Sequence, residues 1–595
     1  MTINKLPGIL SECMINQQIT LAYPDFHGKK SEIDLDALFD GTSQMYGASL
    51  MEIMNANESV YNGTEKLITY LREQWFSGDN AQYYLDMENR IREFAKRFPN
   101  AEMIIFNPPS SLSFLEHLLK YLESKEGEPE NRRSNAQMER NLLNAYLIIN
   151  ERFNRSKNGI EELRKTDPNE EVYWLSLYKP FQYADLINRD LRELYLIEIY
   201  KGILFFEFLE YNPQTKPILQ LFIQKYGCQN WKDYLKASTG LAANTIDSVV
   251  GRGNNFVEID HAFPFYATCI RILDTISIPL ESVALQEDYL FLRNHPIIRT
   301  DENKFQVVYR RFLIEKIFRA LYFEMSKLGH DSNIMNRDTF RTLIYTSGYS
   351  EQNILYSVLD RIFDKAALRI YGDTMEKIDA QFGASDYITY ENGNIFIFES
   401  KDILIKKEVK EKLYIPDLRV EFRKKFYKDG TGEKAVLQLA RNVKKLLNGE
   451  YEKFGFVYDK FRFIYPVIVV HSDAFTILGI NQLLKMWFKE ACNEVGIDRK
   501  DMYKVKPVVL IDSNTLLYFQ DRIGSKGTLF NQLIDGYLWK TLIKQGEKNK
   551  PRDVTDYQSR YLIPFAYYVE NTIKTIKPVK SPEAMRKKIK QILLS

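Results

Sequence analysis

The stretch Asp386 to Lys401, DYITYENGNIFIFESK, leaves little freedom in how it folds. Two runs rich in β-branched and aromatic residues flank Asn392-Gly393, the pair favoured in two-residue type I′ hairpin turns because both positions need positive φ. Such a turn fixes the register. Glu391 faces Asn394, and counting back along both strands places Asp386 opposite Glu399. Opposed residues on one face have Cβ atoms about 4.5–5.5 Å apart, and the two-residue period of a strand adds Lys401 to the same side. The spacing therefore predicts that Asp386, Glu399 and Lys401 converge.

Two carboxylates held opposite each other repel unless something positive lies between them. A hard divalent cation answers this, and Mg²⁺ needs only one or two carboxylates because it keeps several waters or takes phosphate oxygens. It polarises a phosphoryl group and lowers the pKa of a bound water, while an ammonium such as Lys401 can orient that water or stabilise charge building on phosphorus. The competing reading is a surface hairpin with its charges in solvent. Against it, Ile395, Phe396, Ile397 and Phe398 are apolar on both faces, as in a buried interior strand.

The rest of the chain sorts into two textures. Up to about Leu328 the pattern is mainly helical, with amphipathic runs at Thr64 to Trp75, Ala136 to Phe153 and Leu186 to Leu209. Turn signals at Asn107-Pro108-Pro109, Lys125 to Arg133 and Asn212-Pro213 separate them. Trp231 to Gly251 reads as two helices around a turn at Gly240-Leu241, either an αα-hairpin or a helix-turn-helix. A short strand, Phe305 to Tyr309, leads into a helix from Arg311 to Ser326, and the polar segment Lys327 to Asn336 suggests a boundary.

Beyond it, a helical stretch (Gln352 to Tyr371), the hairpin, a helix (Glu433 to Leu447), an apolar strand (Phe463 to Val470), a helix (Gly479 to Val495) and a second apolar strand (Pro507 to Asp512) predict a mixed α/β core around a central sheet. A chain of 595 residues exceeds what one core supports. The expected division is a mainly helical sensing or binding domain over 1–330, with room for two subdomains, an α/β domain over 331–540, and a basic helical extension over 541–595.

Asp386 followed by Glu399-Ser400-Lys401 resembles the D…ExK signature of the PD-(D/E)XK, or restriction-endonuclease-like, nuclease superfamily. Ser385 stands where many members have proline. The resemblance spans roughly residues 340 to 525 and draws its strength from element order. It implies that Asp386 and Glu399 bind metal, that the Ser400 carbonyl joins them, and that Lys401 is the catalytic lysine. The helix Glu433 to Arg441 resembles one that in many members carries a glutamine near the site, here Gln438. Many members also have an acid on the helix before the sheet; Asp364 and Glu376 both qualify, and nothing in the sequence chooses between them.

The expectation is therefore a Mg²⁺-dependent endonuclease, with Mn²⁺ able to substitute, acting on DNA in prokaryotic defence against phage or foreign DNA. An RNA nuclease and a catalytically silent nucleic-acid-binding scaffold are the alternatives. A net charge of +2 hides basic stretches at Lys401 to Lys460 and Ile543 to Ser595, each with an excess of about six basic groups, which suits a nucleic-acid partner. A homo-oligomer or a protein partner is also expected.

Four cysteines without close pairs suggest neither a disulfide framework nor a zinc site. The start MTINKLPGIL lacks a long apolar core, and Leu194 to Leu209 is interrupted by Glu198, Lys201 and Glu207, so no membrane span and a cytoplasmic location are expected. The six histidines show no paired ligand spacing, and His261 and His471 read as structural. Gly430-Thr-Gly432-Glu433-Lys434 lacks phosphate-loop spacing and reads as a turn and helix start.

Overall fold

The computed structural model describes residues 17–42, 63–99, 101–124, 134–154, 158–246, 256–457, 461–525, 527–543, 551, 553–576 and 582–594. They divide into two compact units, each built from separated segments of chain: one within Asn158–Leu219 and Tyr322–Ser595, the other within Ser11–Lys157 and Gln220–Leu321. The expected partition at 330 and 540 thus gives way to an interleaved one. Part of the reason is α1 (Glu171–Ile187) and α2 (Leu191–Tyr211). Helix α2 buries Leu194, Ile197, Ile199, Ile203, Phe205, Phe206 and Leu209, and a helix apolar on nearly all sides must be enclosed. Its Phe205 meets Tyr349 at 4.8 Å between ring centroids. Glu170 ties the start of α1 in by accepting from the indole N–H groups of both Trp174 and Trp487.

The described residues beyond 541 likewise belong to this unit. Lys574 pairs with Glu193 and Lys588 with Glu207, and Met585 is buried.

The sheet of this unit begins after a long helix. Helix α3 (Phe340–Tyr356) runs in the wider π geometry and continues without a break into Ser357–Ile362. Then come β1 (Leu368–Tyr371), the short α4 (Gly372–Ile378), β2 (Tyr387–Glu391) and β3 (Asn394–Lys401). After α5 (Ile415–Phe426) and α6 (Ala435–Leu447) come β4 (Phe463–Val470), α7 (Ile480–Glu494) and β5 (Val509–Asp512). The five strands lie in the order β1-β2-β3-β4-β5. The first two pairings are antiparallel, and β3-β4 and β4-β5 are parallel, so the sheet is mixed.

Strand β3 is central and apolar on both faces. Ile395 and Ile397 join a core with Phe422 of α5, Leu439 and Val443 of α6, and Leu484 of α7. On the other face Phe396 stacks on Tyr465, and Phe398 meets Phe530 at the start of α8 (Phe530–Lys540). Helices thus cover both faces, the mixed α/β class expected for this part of the chain.

Several boundaries differ from expectation. The helix expected over Gln352 to Tyr371 ends at Ile362, and Leu368–Tyr371 is instead an edge strand paired with β2. At its other end the helix starts earlier, because Gly348 does not break it. A Cβ there would lie 2.8 Å from Phe208 Cζ, so the glycine serves close packing. The run Leu186 to Leu209 is interrupted at Asn188 to Asp190, and Asp190 caps α2 by accepting from the N–H groups of Arg192 and Glu193.

The second unit contains a parallel pair, Gln17–Thr20 with Ala101–Ile104, and a three-stranded antiparallel sheet of Phe256–Glu258, Lys304–Val307 and Ile297–Arg299. Thr64 to Trp75 and Asn135–Asn154 are helical as expected. The expected helix Arg311 to Ser326 is split into Arg310–Glu315 and Arg319–Asp331. Trp231–Ile246 is one helix running through Gly240-Leu241, which removes both the hairpin and the helix-turn-helix at that turn. The expected turn at Lys125 to Arg133 lies outside the described residues. Among those described, no helix is long and apolar enough to cross a membrane.

Candidate functional site

The hairpin turn has the geometry that its two residues demand: φ is 52° at Asn392 and 78° at Gly393. The register follows, with Glu391 opposite Asn394 and Tyr387 opposite Phe398. One step further, beyond the last ladder pair, stand Asp386 and Glu399. The Ser400 N–H donates to Asp386 Oδ2 at 2.5 Å, which closes the strand ends. Lys401 Nζ lies 2.7 Å from Glu399 Oε1. Asp386, Glu399 and Lys401 are therefore brought together.

Glu399 is 3% exposed, and its Oε2 is buried without a hydrogen-bond partner. Burial first, then the charge of Asp386, push its carboxyl up to about 8, against the pull of Lys401. Asp386 is also raised, by burial, with Lys401 and the Ser400 N–H opposing. Burial opposes the charge on Lys401, but the carboxylates of Glu399 and Asp386 outweigh it and hold the ammonium charged.

A fourth group, missed in the sequence, is Glu351 on α3. Burial and then Asp386 raise its carboxyl to about 7, and Lys401 and Asp373 also act on it. The Tyr356 hydroxyl donates to Glu351 Oε1 at 2.9 Å. Its signal was present, an acid on the helix preceding the sheet, but that helix was expected to start at Gln352, one residue too late.

The two acids singled out for this role lie elsewhere or at the margin. Asp364 accepts from Ser525 Oγ at 2.6 Å and acts on Glu391, at the turn end of the hairpin. At about 3.3 Å per residue, that end is roughly 17 Å from Asp386. Glu376 is exposed on α4 and reaches the site only as a like charge raising Asp386. Gln438 sits on α6, over the sheet face that carries Ile395 and Ile397, and its Oε1 is buried without a hydrogen-bond partner.

The back of β3 carries a second polar pair. Ser400 Oγ lies 2.9 Å from Nε2 of His471, the residue following β4. Burial pushes that imidazole down to about 4, so it is neutral near pH 7. Ser350 Oγ donates to Asp402 Oδ2 at 3.1 Å, placing the neighbour of Glu351 against the end of β3.

Much of the basic stretch after Lys401 is engaged inside its own unit. Arg419 and Arg423 pair with Glu170, Arg441 with Glu433, Lys412 with Asp417 and Lys453 with Asp379, and Lys445 donates to the Phe382 carbonyl. The composition overstates how much of this charge is available to a partner.

The donor set suits a hard cation needing few protein ligands: two facing carboxylates, one of them with a buried oxygen lacking a donor. Among the described residues, no three His, Cys, Asp or Glu side chains are grouped to hold a metal ion by themselves. No family model, curated protein or solved structure matches this chain.

Proposed function

We propose that the chain is a metal-dependent nuclease with a restriction-endonuclease-like core, hydrolysing phosphodiester bonds. One observation carries this reading: a buried Glu399 carboxylate, one oxygen lacking any donor, stands opposite Asp386 with the Lys401 ammonium 2.7 Å away. Buried carboxylates raised this far need a cation to be useful at neutral pH.

Asp386, Glu399 and the Ser400 carbonyl would hold Mg²⁺ or Mn²⁺, with Glu351 nearby. When bound, the cation would polarise the scissile phosphoryl group and make a nucleophile of a water. Lys401, kept charged by its carboxylate neighbours, stabilises the charge growing on phosphorus and orients the attacking water. By resemblance to that superfamily, the substrate is DNA and the setting is defence against phage or foreign DNA.

The test is incubation of the purified chain with supercoiled DNA, linear DNA and RNA plus Mg²⁺ or Mn²⁺, beside Glu399→Ala and Lys401→Ala. Metal-dependent cleavage lost in both variants supports the assignment, and undiminished cleavage by them removes it. The alternative is a silent nucleic-acid-binding scaffold. Nucleic acid retained without cutting in either metal would select it.

A further inference from the structure

The end of β3 alternates between two jobs. Glu399 and Lys401 face Asp386, while Ser400, between them, points to the opposite side of the sheet. There its Oγ meets His471 Nε2 at 2.9 Å, and its own N–H is already given to Asp386 Oδ2. Ser400 thus links three strand ends: β2 through Asp386, β3 itself, and β4 through His471.

This linkage matters because, at Ser400, the ladder between β2 and β3 has ended. The last pair between β3 and β4 is Lys401 with Val470, and the last between β2 and β3 is Phe398 with Tyr387. Glu399, Ser400 and Lys401 are still paired with β4, but Asp386 stands beyond the β2–β3 ladder, where backbone pairing no longer sets its distance from Glu399. The bonds in place are the Ser400 N–H to Asp386, the Ser400–His471 contact, and the Ser350–Asp402 bond beside Glu351.

We infer that His471 is a positioning residue for the metal site. By holding Ser400 from the back of the sheet, it adds to the β4 pairing that seats the peptide between Glu399 and Lys401. The separation of the Asp386 and Glu399 carboxylates, and the place of the Ser400 carbonyl, are set with it. The inference rests on the metal-site reading above and adds to it a residue that touches neither substrate nor cation. Outer partners of this kind are typically worth 10- to 100-fold in metal affinity.

The experiment is a direct Mn²⁺ titration of the full chain, reading free Mn²⁺ by electron paramagnetic resonance, with circular dichroism and thermal melting alongside. Wild type, His471→Ala, His471→Gln, Ser400→Ala and Glu399→Ala are compared. Expected is an Mn²⁺ affinity weakened about 10- to 100-fold in His471→Ala with the fold retained, and largely restored in His471→Gln, whose amide can reach the same hydroxyl. Ser400→Ala removes the same bond from the other end and keeps the imidazole packed, so it must weaken binding by a similar factor even if His471→Ala fails to fold.

Wild-type affinity in Ser400→Ala, or a loss in His471→Ala that His471→Gln does not recover, overturns the inference while leaving the metal site standing. Absence of Mn²⁺ binding by the wild type, indistinguishable from Glu399→Ala, overturns both.

Discussion

Lys401 Nζ sits 2.7 Å from Glu399 Oε1, two residues away on the same face of the same strand. Removing one partner of a buried pair leaves the other uncompensated, which costs about 3–5 kcal/mol. The Lys401 side chain keeps some solvent access, so above about pH 8, where the Glu399 carboxyl of the wild type ionises, Lys401→Met is expected at the lower end, about 3 kcal/mol. At lower pH, where Glu399 keeps its proton, it costs less. Single-turnover cleavage should fall at least about 100-fold, the usual scale for losing one group that stabilises transition-state charge. Urea melts and quench-flow measure the two effects separately.

The proton on Glu399 gives metal-free stability a defined pH dependence. Its carboxyl is raised from 4.5 to about 8 on folding, so the folded chain keeps a proton that the unfolded chain releases. The destabilisation is absent below 4.5, grows as pH rises toward 8, and is then complete. Melting in EDTA should therefore show wild type losing stability across that window, with Glu399→Gln losing less. Mg²⁺ should restore more stability at pH 8 than at pH 6, because cation and proton compete for the same carboxylates.

Glu351, rather than Asp364, is the acid that belongs to the site. Glu351→Gln is expected to lower cleavage about 10-fold or more and to raise the Mg²⁺ concentration needed for half-maximal rate. Asp364→Asn, at the far end of the hairpin, should remain within about twofold of wild type, since its partners are Ser525 and Glu391. Initial rates across a Mg²⁺ series discriminate the two.

Gly348 tests how the helix carrying Glu351 is seated. Its missing side chain lets the Phe208 ring lie where a Cβ would be 2.8 Å from the ring edge. Gly348→Ala should cost about 1–3 kcal/mol by overpacking and should shift the metal requirement as Glu351 moves. A change in stability with no change in metal requirement would show that the helix adjusts without moving the site.

The parts legible in the sequence are those fixed by local rules. Asn392-Gly393 sets a turn, the turn sets a register, and the register places Asp386 by Glu399 without any tertiary information. Strand β4 and the helices before and after it were legible for the same reason, as short apolar or amphipathic runs between turn signals. Glu351 was not, because Gly348 signals a break locally and serves packing globally. Leu368–Tyr371 continues a helical pattern until its pairing with β2 overrides it. The return of Asn158–Leu219 to the C-terminal unit is a long-range packing outcome that no local pattern encodes. His471 looked structural on its own, and only the fold shows it behind Ser400.

The most direct measurement is a crystal structure of the chain soaked in Mn²⁺, read by anomalous scattering at the manganese edge. The expected result is a peak between the Asp386 and Glu399 carboxylates, within bonding distance of Glu399 Oε2. A map without a peak there, with Lys401 still bound to Glu399 at saturating Mn²⁺, would contradict a metal-dependent site at the end of this hairpin.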